Sequence, residues 1–238
     1  VVIALIALVL ATPTSIVAAL CITEYAPPRV RSWLRSAVDL LAAIPSVVYG
    51  LWGLKYLQPH LIGTAAWISR HFGFVPLFRN DSGIFTSSAF IAGVVVALMV
   101  LPIITSICRE VFSLAPAGER EGALALGATR WDVIRSVVLP FGRGGMAGAV
   151  MLGLGRALGE TIAITLIISP IFYINAHILE KGANSVAALI VVNFGSGGSL
   201  GLAAQLAAGF TLFVFTLAVN LTASYIVRRS RSARAVEI

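Results

Sequence analysis

Long apolar runs separated by short polar segments dominate the chain. Five runs reach the length of about 20 apolar residues that a helix needs to cross a bilayer, and they cover residues 1–22, 37–57, 87–108, 146–169 and 205–227. Pro45 and Pro102 fall inside two of them, which is tolerated when neighbouring helices satisfy the freed backbone groups. The pattern predicts an all-α, polytopic membrane protein whose five transmembrane helices form one domain, residues 1–238.

Three further segments are interpreted from the same pattern. The apolar run 185–193 is too short to span, so we expect a re-entrant or surface helix there. Residues 58–86 mix aromatic and polar residues, which is typical of a segment lying at the membrane interface. The chain begins inside an apolar run without a charged leader, so we expect an upstream segment before Val1.

Composition agrees with the membrane assignment, because only 11% of the residues are charged against about 25% in soluble domains. The net charge of +7 reflects arginines in short loops, a pattern that indicates orientation rather than nucleic-acid binding. Twelve basic residues lie in one set of loops and four in the alternate set. The positive-inside rule places the first set, including Arg228, Arg229, Arg231 and Arg234 of the C-terminal tail, in the cytoplasm.

The polar segment 109–145 is too long to be an unstructured loop. Its helix-starting and helix-ending residues predict two short helices, because Pro116 suits the first position of a helix and Gly127 suits the end of one. Thr129 and Asp132 have the spacing of a capping box, and we expect Pro140 to end the second helix. On the pattern alone, this segment is either a partner-docking elbow or an amphipathic elbow resting on the membrane.

The same segment resembles the cytoplasmic signature of ABC importer permeases: Glu-Ala-Ala, three residues, Gly, nine residues, Ile, one residue, Leu-Pro. The chain reads Glu121-Gly122-Ala123, then Gly127, Val137 and Leu139-Pro140 at those spacings, with Gly122 and Val137 as mild departures. The resemblance implies that Glu121, Ala123 and Gly127 belong to a coupling helix that docks on a cytoplasmic ATPase.

A narrower resemblance is to the C-type permeases of phosphate-specific importers. It rests on "AAIPSVVYGLWGL" (42–54), "GLGRALGETIAI" (153–164) and "ALIVVNFG" (188–195). The resemblance implies a bacterial plasma-membrane subunit that transports inorganic phosphate. Its implied partners are a second, A-type permease, ATPase subunits and a phosphate-binding protein. The family also has a further N-terminal helix and an external segment, which we expect to precede Val1.

Two charges, Arg156 and Glu160, lie inside the run 146–169. A charge at the centre of a membrane helix costs about 2.5–3.5 kcal/mol on insertion scales, and such residues mark solute pathways. The i, i+4 spacing predicts a shared helix face, where the two charges neutralise each other or pair with a neighbouring chain. A pair that only fixes helix packing remains the alternative.

We expect Arg156 to attract an oxyanion. We expect Glu160 to hold Arg156 in place and to weaken its binding of the anion. We also expect the hydroxyls of Thr161 and Thr165 to lie on the same pathway. No Gly-xxxx-Gly-Lys-Ser/Thr loop occurs in the sequence, so we expect no catalytic residue and no cofactor in this chain, with ATP and Mg²⁺ bound by the partner ATPase. No His/Cys set has metal-ligand spacing.

Three other functions remain open. The first is an ABC permease for another oxyanion, such as sulfate, molybdate or phosphonate. The second is a secondary transporter that uses Arg156 and Glu160 as a proton relay. The third is a membrane-embedded enzyme, for which the sequence offers no catalytic constellation.

Overall fold

The computed structural model describes residues 1–171, 175–195 and 198–232. In this part of the chain there is no β-strand, and the isolated bridge is antiparallel and joins Ser88 to Lys181. The all-α prediction is therefore confirmed. The helices in chain order are α1 (Val2–Leu20), α2 (Pro28–Ala43), α3 (Ser46–Trp52), α4 (Gln58–Phe72), α5 (Ala89–Ser113), α6 (Ala117–Ala125), α7 (Arg130–Val133), α8 (Leu139–Gly159), α9 (Ile162–Ile167), α10 (Val186–Asn193) and α11 (Gly198–Ser232).

Shorter helical pieces extend or join these elements. Turns of π-helix occupy Cys21–Tyr25, Gly53–Leu57 and Ile134–Val138, and a 3₁₀ turn occupies Pro76–Phe78. A π-turn often marks a functional site or a point of strain in a helix. Helix α10 is the short helix expected at 185–193, and its length of eight residues is too small to span a bilayer.

Four helical segments of the described chain are long and apolar enough to cross a membrane: Val2–Tyr25, Ala89–Ser113, Arg130–Gly159 and Gly198–Thr222. A fifth candidate combines Pro28–Ala43 with Ser46–Phe72, and these two parts meet at an angle of 89°. The predicted five spans therefore correspond to four helices and one bent pair. Arg234 and Ile238, which enter the prediction of a cytoplasmic C-terminus, lie outside the described residues.

The prediction of an unbroken span over residues 37–57 is wrong. Helix α2 ends at Ala43 and α3 begins at Ser46, with Pro45 in an extended conformation at φ −60°, ψ 141°. Proline disfavours the helical conformation of the residue before it, here Ile44, and has no N–H of its own. Pro45 thus bends this part of the chain instead of being absorbed in a helix.

The expectation that Pro140 ends a helix is also wrong, since one helical path runs through Arg130–Gly159. The π-turn Ile134–Val138 immediately precedes the proline, and Leu139 N–H donates to Ile134 O. This wider turn relieves the clash between a proline ring and the preceding carbonyl groups. The part of segment 109–145 outside long helical paths therefore shrinks to residues 114–129.

The chain forms two compact units. The first comprises residues 1–7, 44–99 and 155–219. Its buried side chains include Ile91, Val95 and Ile167. Close packing of α3 on α9 depends on Gly50, because a Cβ there would lie 2.9 Å from Ala163 Cα.

The second unit comprises residues 8–43, 100–154 and 220–238. The core contains Ile104, Phe112, Ile134 and Val138, all almost fully buried. Gly142 and Gly153 lie against α5, since a Cβ on Gly142 would be 2.6 Å from the Phe112 ring. Small residues thus allow α8 to approach α5 closely, as is typical of membrane helix pairs. The prediction that residues 1–238 form one domain stays a prediction.

Candidate functional site

The predicted span 146–169 contains a helix break at the charged motif. Helix α8 ends at Gly159 and α9 begins at Ile162, so the prediction of one helix through residue 169 is wrong. Thr161 lies between them at φ −116°, ψ −60°. The Glu160 carboxylate accepts a hydrogen bond of 3.1 Å from Ala163 N–H. Glu160 therefore satisfies one of the free amides at the start of α9, as a capping side chain does.

Arg156 and Glu160 do not share a helix face, because α8 ends between them. Arg156 is exposed, whereas Glu160 is 8% exposed. Among the residues that the structure describes, no ion pair joins the two. The predicted mutual neutralisation is thus absent, and the physical reason is that the break diverts Glu160 to the backbone of α9.

Tyr49 is the neighbour of Arg156 that the sequence reasoning missed. It lies on α3, is half-buried, and interacts electrostatically with the Arg156 guanidinium. The packing of Gly50 against Ala163 and Leu166 fixes α3 beside α9. The motif 42–54 was informative as a whole, but nothing in its spacing selected this tyrosine over its aromatic neighbour Trp52.

The two predicted threonines already use their hydroxyl protons. Thr161 donates to Gly159 O at 3.1 Å, and Thr165 donates to Thr161 O at 2.8 Å. A hydroxyl has one proton to donate, so in this arrangement both threonines offer only lone pairs. An oxyanion requires donors, and Arg156 is the charged donor of this group.

The predicted coupling residues lie together in the second unit. Glu121 is exposed on α6, Ala123 is half-buried, and Gly127 follows the helix at φ +84°. A positive φ at a helix end favours glycine. The capping box of Thr129 and Asp132 is confirmed, since Thr129 Oγ1 accepts from Asp132 N–H and Asp132 accepts from Thr129 N–H.

Apolar side chains around Glu121 are largely exposed in the part of the chain that the structure describes. Leu124, Leu126 and Trp131 are 50%, 91% and 56% exposed. Clustered exposed apolar residues mark contact surfaces. Arg120 connects α6 to the rest of the second unit. Its Nη1 lies 3.0 Å from the Glu24 carboxylate, and its Nη2 donates to Phe112 O at 2.6 Å.

Within the described residues, no group of three or more His, Cys, Asp or Glu side chains could hold a metal ion. Cys108 is buried and Cys21 exposed, and both are free thiols.

Comparison with known protein families gives a match over residues 11–232 to the family described as "Binding-protein-dependent transport system inner membrane component". In Mycobacterium tuberculosis, the "Phosphate transport system permease protein PstC 2" is 44% identical over 91% of this chain and 68% of its own length. The "Phosphate transport system permease protein PstC" of Haemophilus influenzae is 39% identical over 96% of this chain and 73% of its own length.

Solved structures support the same architecture. A bacterial ABC transporter that imports the acidic polysaccharide alginate aligns with a TM-score of 0.66 at 20% identity, over 95% of this chain and 76% of that chain. The MetNI methionine ABC transporter, in an inward-facing conformation, aligns with a TM-score of 0.61 at 15% identity, over 96% and 89%. At these identities the two structures support the fold alone.

Proposed function

This chain belongs to the family of binding-protein-dependent transport system inner membrane components, and we propose that it is the permease subunit of an ATP-driven phosphate importer. The observation that carries this proposal is the set of relatives named phosphate transport permeases, which are 37–44% identical over more than 90% of the chain. Phosphate uptake against an inside-negative potential requires about 2.3 kcal/mol per charge per 100 mV, so the subunit needs an external energy source.

Partner subunits complete the proposed importer. A second permease forms the translocation pathway with this chain, and two ATPase subunits bind ATP and Mg²⁺. A phosphate-binding protein delivers inorganic phosphate from outside. Within the predicted segment 109–145, residues 114–129 lie outside the long helices and face the cytoplasm of a bacterial cell, as does the C-terminus. This orientation accords with the twelve-to-four distribution of basic residues.

Arg156 is the proposed anion attractor of the pathway. It is exposed, it forms no ion pair among the described residues, and it has Tyr49 beside it. An unpaired guanidinium offers a planar set of donors to phosphate oxygens. Glu160 supports the site by capping α9 and so holding the helix break open. Transient, weak binding at one arginine suits passage better than a tight site does.

Helix α6 is the proposed contact with the ATPase. Glu121 and Gly122 are exposed, and a Cβ on Gly122 would have no atom within 4 Å. A partner groove can therefore approach this face closely. The exposed Leu124 and Leu126 supply apolar area next to the charge, a combination that suits a docking surface. An amphipathic elbow resting on the membrane is the alternative, and the pull-down described below distinguishes the two.

The test is uptake of ³²P-phosphate into proteoliposomes that contain both permeases and the ATPase, with the binding protein outside. We expect uptake only with ATP inside, and no effect of a protonophore. Competition by excess sulfate, molybdate or phosphonate that abolishes uptake would assign another oxyanion. Uptake that needs a proton gradient and proceeds without ATP would instead indicate a secondary transporter.

Coupling is tested separately with Glu121→Lys. This change should leave the protein in the membrane but reduce both ATPase retained on pull-down and phosphate uptake. Glu110→Lys is the matched control, since Glu110 is an exposed glutamate of α5 outside the docking helix. Normal retention and uptake for Glu121→Lys would contradict the docking role.

A further inference from the structure

An arginine-lined cavity lies in the second unit, and none of the residues proposed for transport in α8 and α9 lines it. Its volume is about 120 Å³, and its lining comes from the π-turn after α1, from α2, α5 and α6: Ile22, Thr23, Glu24, Arg31, Arg35, Arg109, Ser113 and Arg120. A single water molecule needs about 10–15 Å³. The cavity is several times larger than one water molecule and therefore has room for a small tetrahedral oxyanion.

The charge around this cavity is unbalanced. Four of the eight lining residues are arginines, and Glu24 is the acidic residue among them. Asp39 lies 3.4 Å from Arg109 Nη2 but outside the lining, with half of its side chain exposed. Even when both carboxylates are counted, four positive charges face two negative ones. Like charges held this close repel each other unless an anion compensates them.

Hydrogen bonding leaves the same arginines incompletely satisfied. Arg31 Nε, Arg109 Nη1 and Arg120 Nε are buried without an acceptor among the described protein atoms. Arg109 is only 8% exposed, and its Nη2 is already shared by Asp39 and Ser106. Buried charged donors without acceptors are costly and are normally paired. Three such groups around one cavity indicate a missing acceptor-rich partner.

Glu24 adds selectivity to this arrangement. Arg120 Nη1 lies 3.0 Å from each oxygen of the Glu24 carboxylate and donates a hydrogen bond to Oε2, while Oε1 accepts no hydrogen bond of good geometry among the described residues. Inorganic phosphate retains an O–H at neutral pH and can donate to a carboxylate oxygen, whereas sulfate has no proton to donate. A carboxylate among arginines therefore favours a protonated phosphate group over sulfate.

We propose that this cavity is a second phosphate-group site, distinct from the transport residue Arg156. The ligand accepts hydrogen bonds from the guanidinium groups and donates one to Glu24. Through Arg120 it joins α6 to α2 and α5, so occupancy stabilises the base of the helix that carries Glu121. Free inorganic phosphate and an anionic lipid headgroup share the required chemistry.

The test is equilibrium binding of ³²P-phosphate to the full chain in phosphatidylcholine nanodiscs. An Arg156→Gln background removes the proposed transport contact, so binding is measured independently of transport and the two proposals fail separately. Arg35→Gln should weaken binding at least about tenfold, the loss expected for one charge-assisted hydrogen bond. Arg35 is exposed and has no carboxylate within ion-pair distance among the described residues, so its replacement leaves the salt bridges of this unit in place.

Arg29→Gln is the matched control, because Arg29 is exposed on α2 but does not line the cavity. It should bind phosphate as the background protein does. Phosphate should bind more tightly than sulfate, and Glu24→Gln should reduce that preference. Equal affinities for Arg35→Gln and Arg29→Gln, or equal binding of sulfate and phosphate, would overturn the proposal.

A second set of nanodiscs containing phosphatidylglycerol distinguishes the source of the phosphate group. Arg35-dependent phosphate binding that persists in these discs assigns the cavity to free phosphate. Arg35-dependent binding that is displaced by phosphatidylglycerol assigns it to a lipid headgroup. Both results support a phosphate-group site.

Discussion

Arg120 and Arg156 are both arginines beside long apolar helices, yet their surroundings differ. Arg120 is 23% exposed, lies 3.0 Å from the Glu24 carboxylate and donates to Phe112 O at 2.6 Å. Arg156 is exposed and has a tyrosine as its electrostatic neighbour. The first guanidinium holds helix ends together, whereas the second forms no ion pair among the described residues and is therefore the one proposed to bind the solute.

The difference follows from where each helix ends. Arg120 belongs to α6 and lies beside the C-terminal end of α5. There its guanidinium donates to the carbonyl oxygen of Phe112, an arrangement that is favourable for a cation at a helix C-terminus. Arg156 lies one turn before the end of α8, and Glu160, the carboxylate nearest in sequence, is used by Ala163 N–H. Because the helix break directs the Glu160 carboxylate to a backbone amide of α9, Arg156 does not form an ion pair with it.

The largest expected effect comes from removing the available charge. Arg156→Gln should reduce phosphate uptake about 10- to 100-fold, because a charge-assisted hydrogen bond to the solute is lost. Assembly with the ATPase, measured by pull-down, should not change. Arg143→Gln, at an exposed arginine of the same helix α8, is the control and should transport normally.

The double change Arg156→Gln/Glu160→Gln separates a pathway from a structural pair. Replacing both members of a structural pair is often close to neutral, whereas removing one is damaging. Since the structure forms no such pair, the double variant should remain inactive. Recovery of uptake to near wild-type would show that Arg156 serves packing and not transport.

The next largest effect concerns Arg120, which pairs with Glu24. Arg120→Gln leaves Glu24, whose side chain is 12% exposed, without its counter-charge, and should lower the free energy of unfolding by about 2 kcal/mol. Glu24→Gln/Arg120→Gln should recover part of this loss. Thermal unfolding in detergent measures both, and a double variant no more stable than the single one would argue against the pairing.

A third effect tests the packing that positions Tyr49 near Arg156. Gly50→Ala places a methyl group 2.9 Å from Ala163 Cα, and overpacking of this kind costs about 1–3 kcal/mol. We expect lower thermal stability and weaker uptake together. Gly63→Ala is the matched control on α4, where a Cβ meets no atom within 4 Å. Equal behaviour of the two variants would show that α3 can move without affecting the site.

The sequence was sufficient for the helical class, for most spans and for the capping box at Thr129, because apolar run length and local side-chain spacing determine them. It was insufficient where prolines and charges depend on tertiary context. Pro45 bends the chain by 89°, whereas Pro102 lies inside α5 and Pro140 follows a π-turn. The residue type alone does not distinguish these three outcomes.

The candidate site shows the same limit. The i, i+4 spacing of Arg156 and Glu160 predicts a shared helix face, but that face exists only if the helix continues past Gly159. Tyr49 is more than 100 positions away in sequence, and its proximity depends on the contact of Gly50 with α9. Residues that meet through helix packing carry no local pattern that a single sequence reveals.

The smallest expected effect concerns Glu180, a loop carboxylate of the first unit. Glu180 has charged and polar partners, whereas Arg156 at the helix break of the same unit forms no ion pair among the described residues. Burial by itself raises the pKa of Glu180, but hydrogen bonds from Ser82, His177 and Asn175 outweigh it and hold the pKa below its ordinary value of 4.5. The distances from the carboxylate to these three donors are 3.2, 3.1 and 3.2 Å. A carboxyl with a depressed pKa in the folded state stabilises the protein above its unfolded pKa.

That contribution should be complete near neutral pH, at about 1 kcal/mol, and should be lost as the pH falls from 4.5 towards the lower folded value. Glu180→Gln should therefore lower the melting temperature at pH 7, and its difference from wild-type should shrink as the pH falls below 4.5. The two melting curves measured against pH should converge on the acidic side. Asp81→Asn is the control, since Asp81 is an exposed loop carboxylate whose ion-pair partner among the described residues is the exposed Arg79. A constant gap between wild-type and Glu180→Gln at every pH would mean that packing, and not the ionised carboxylate, stabilises this loop.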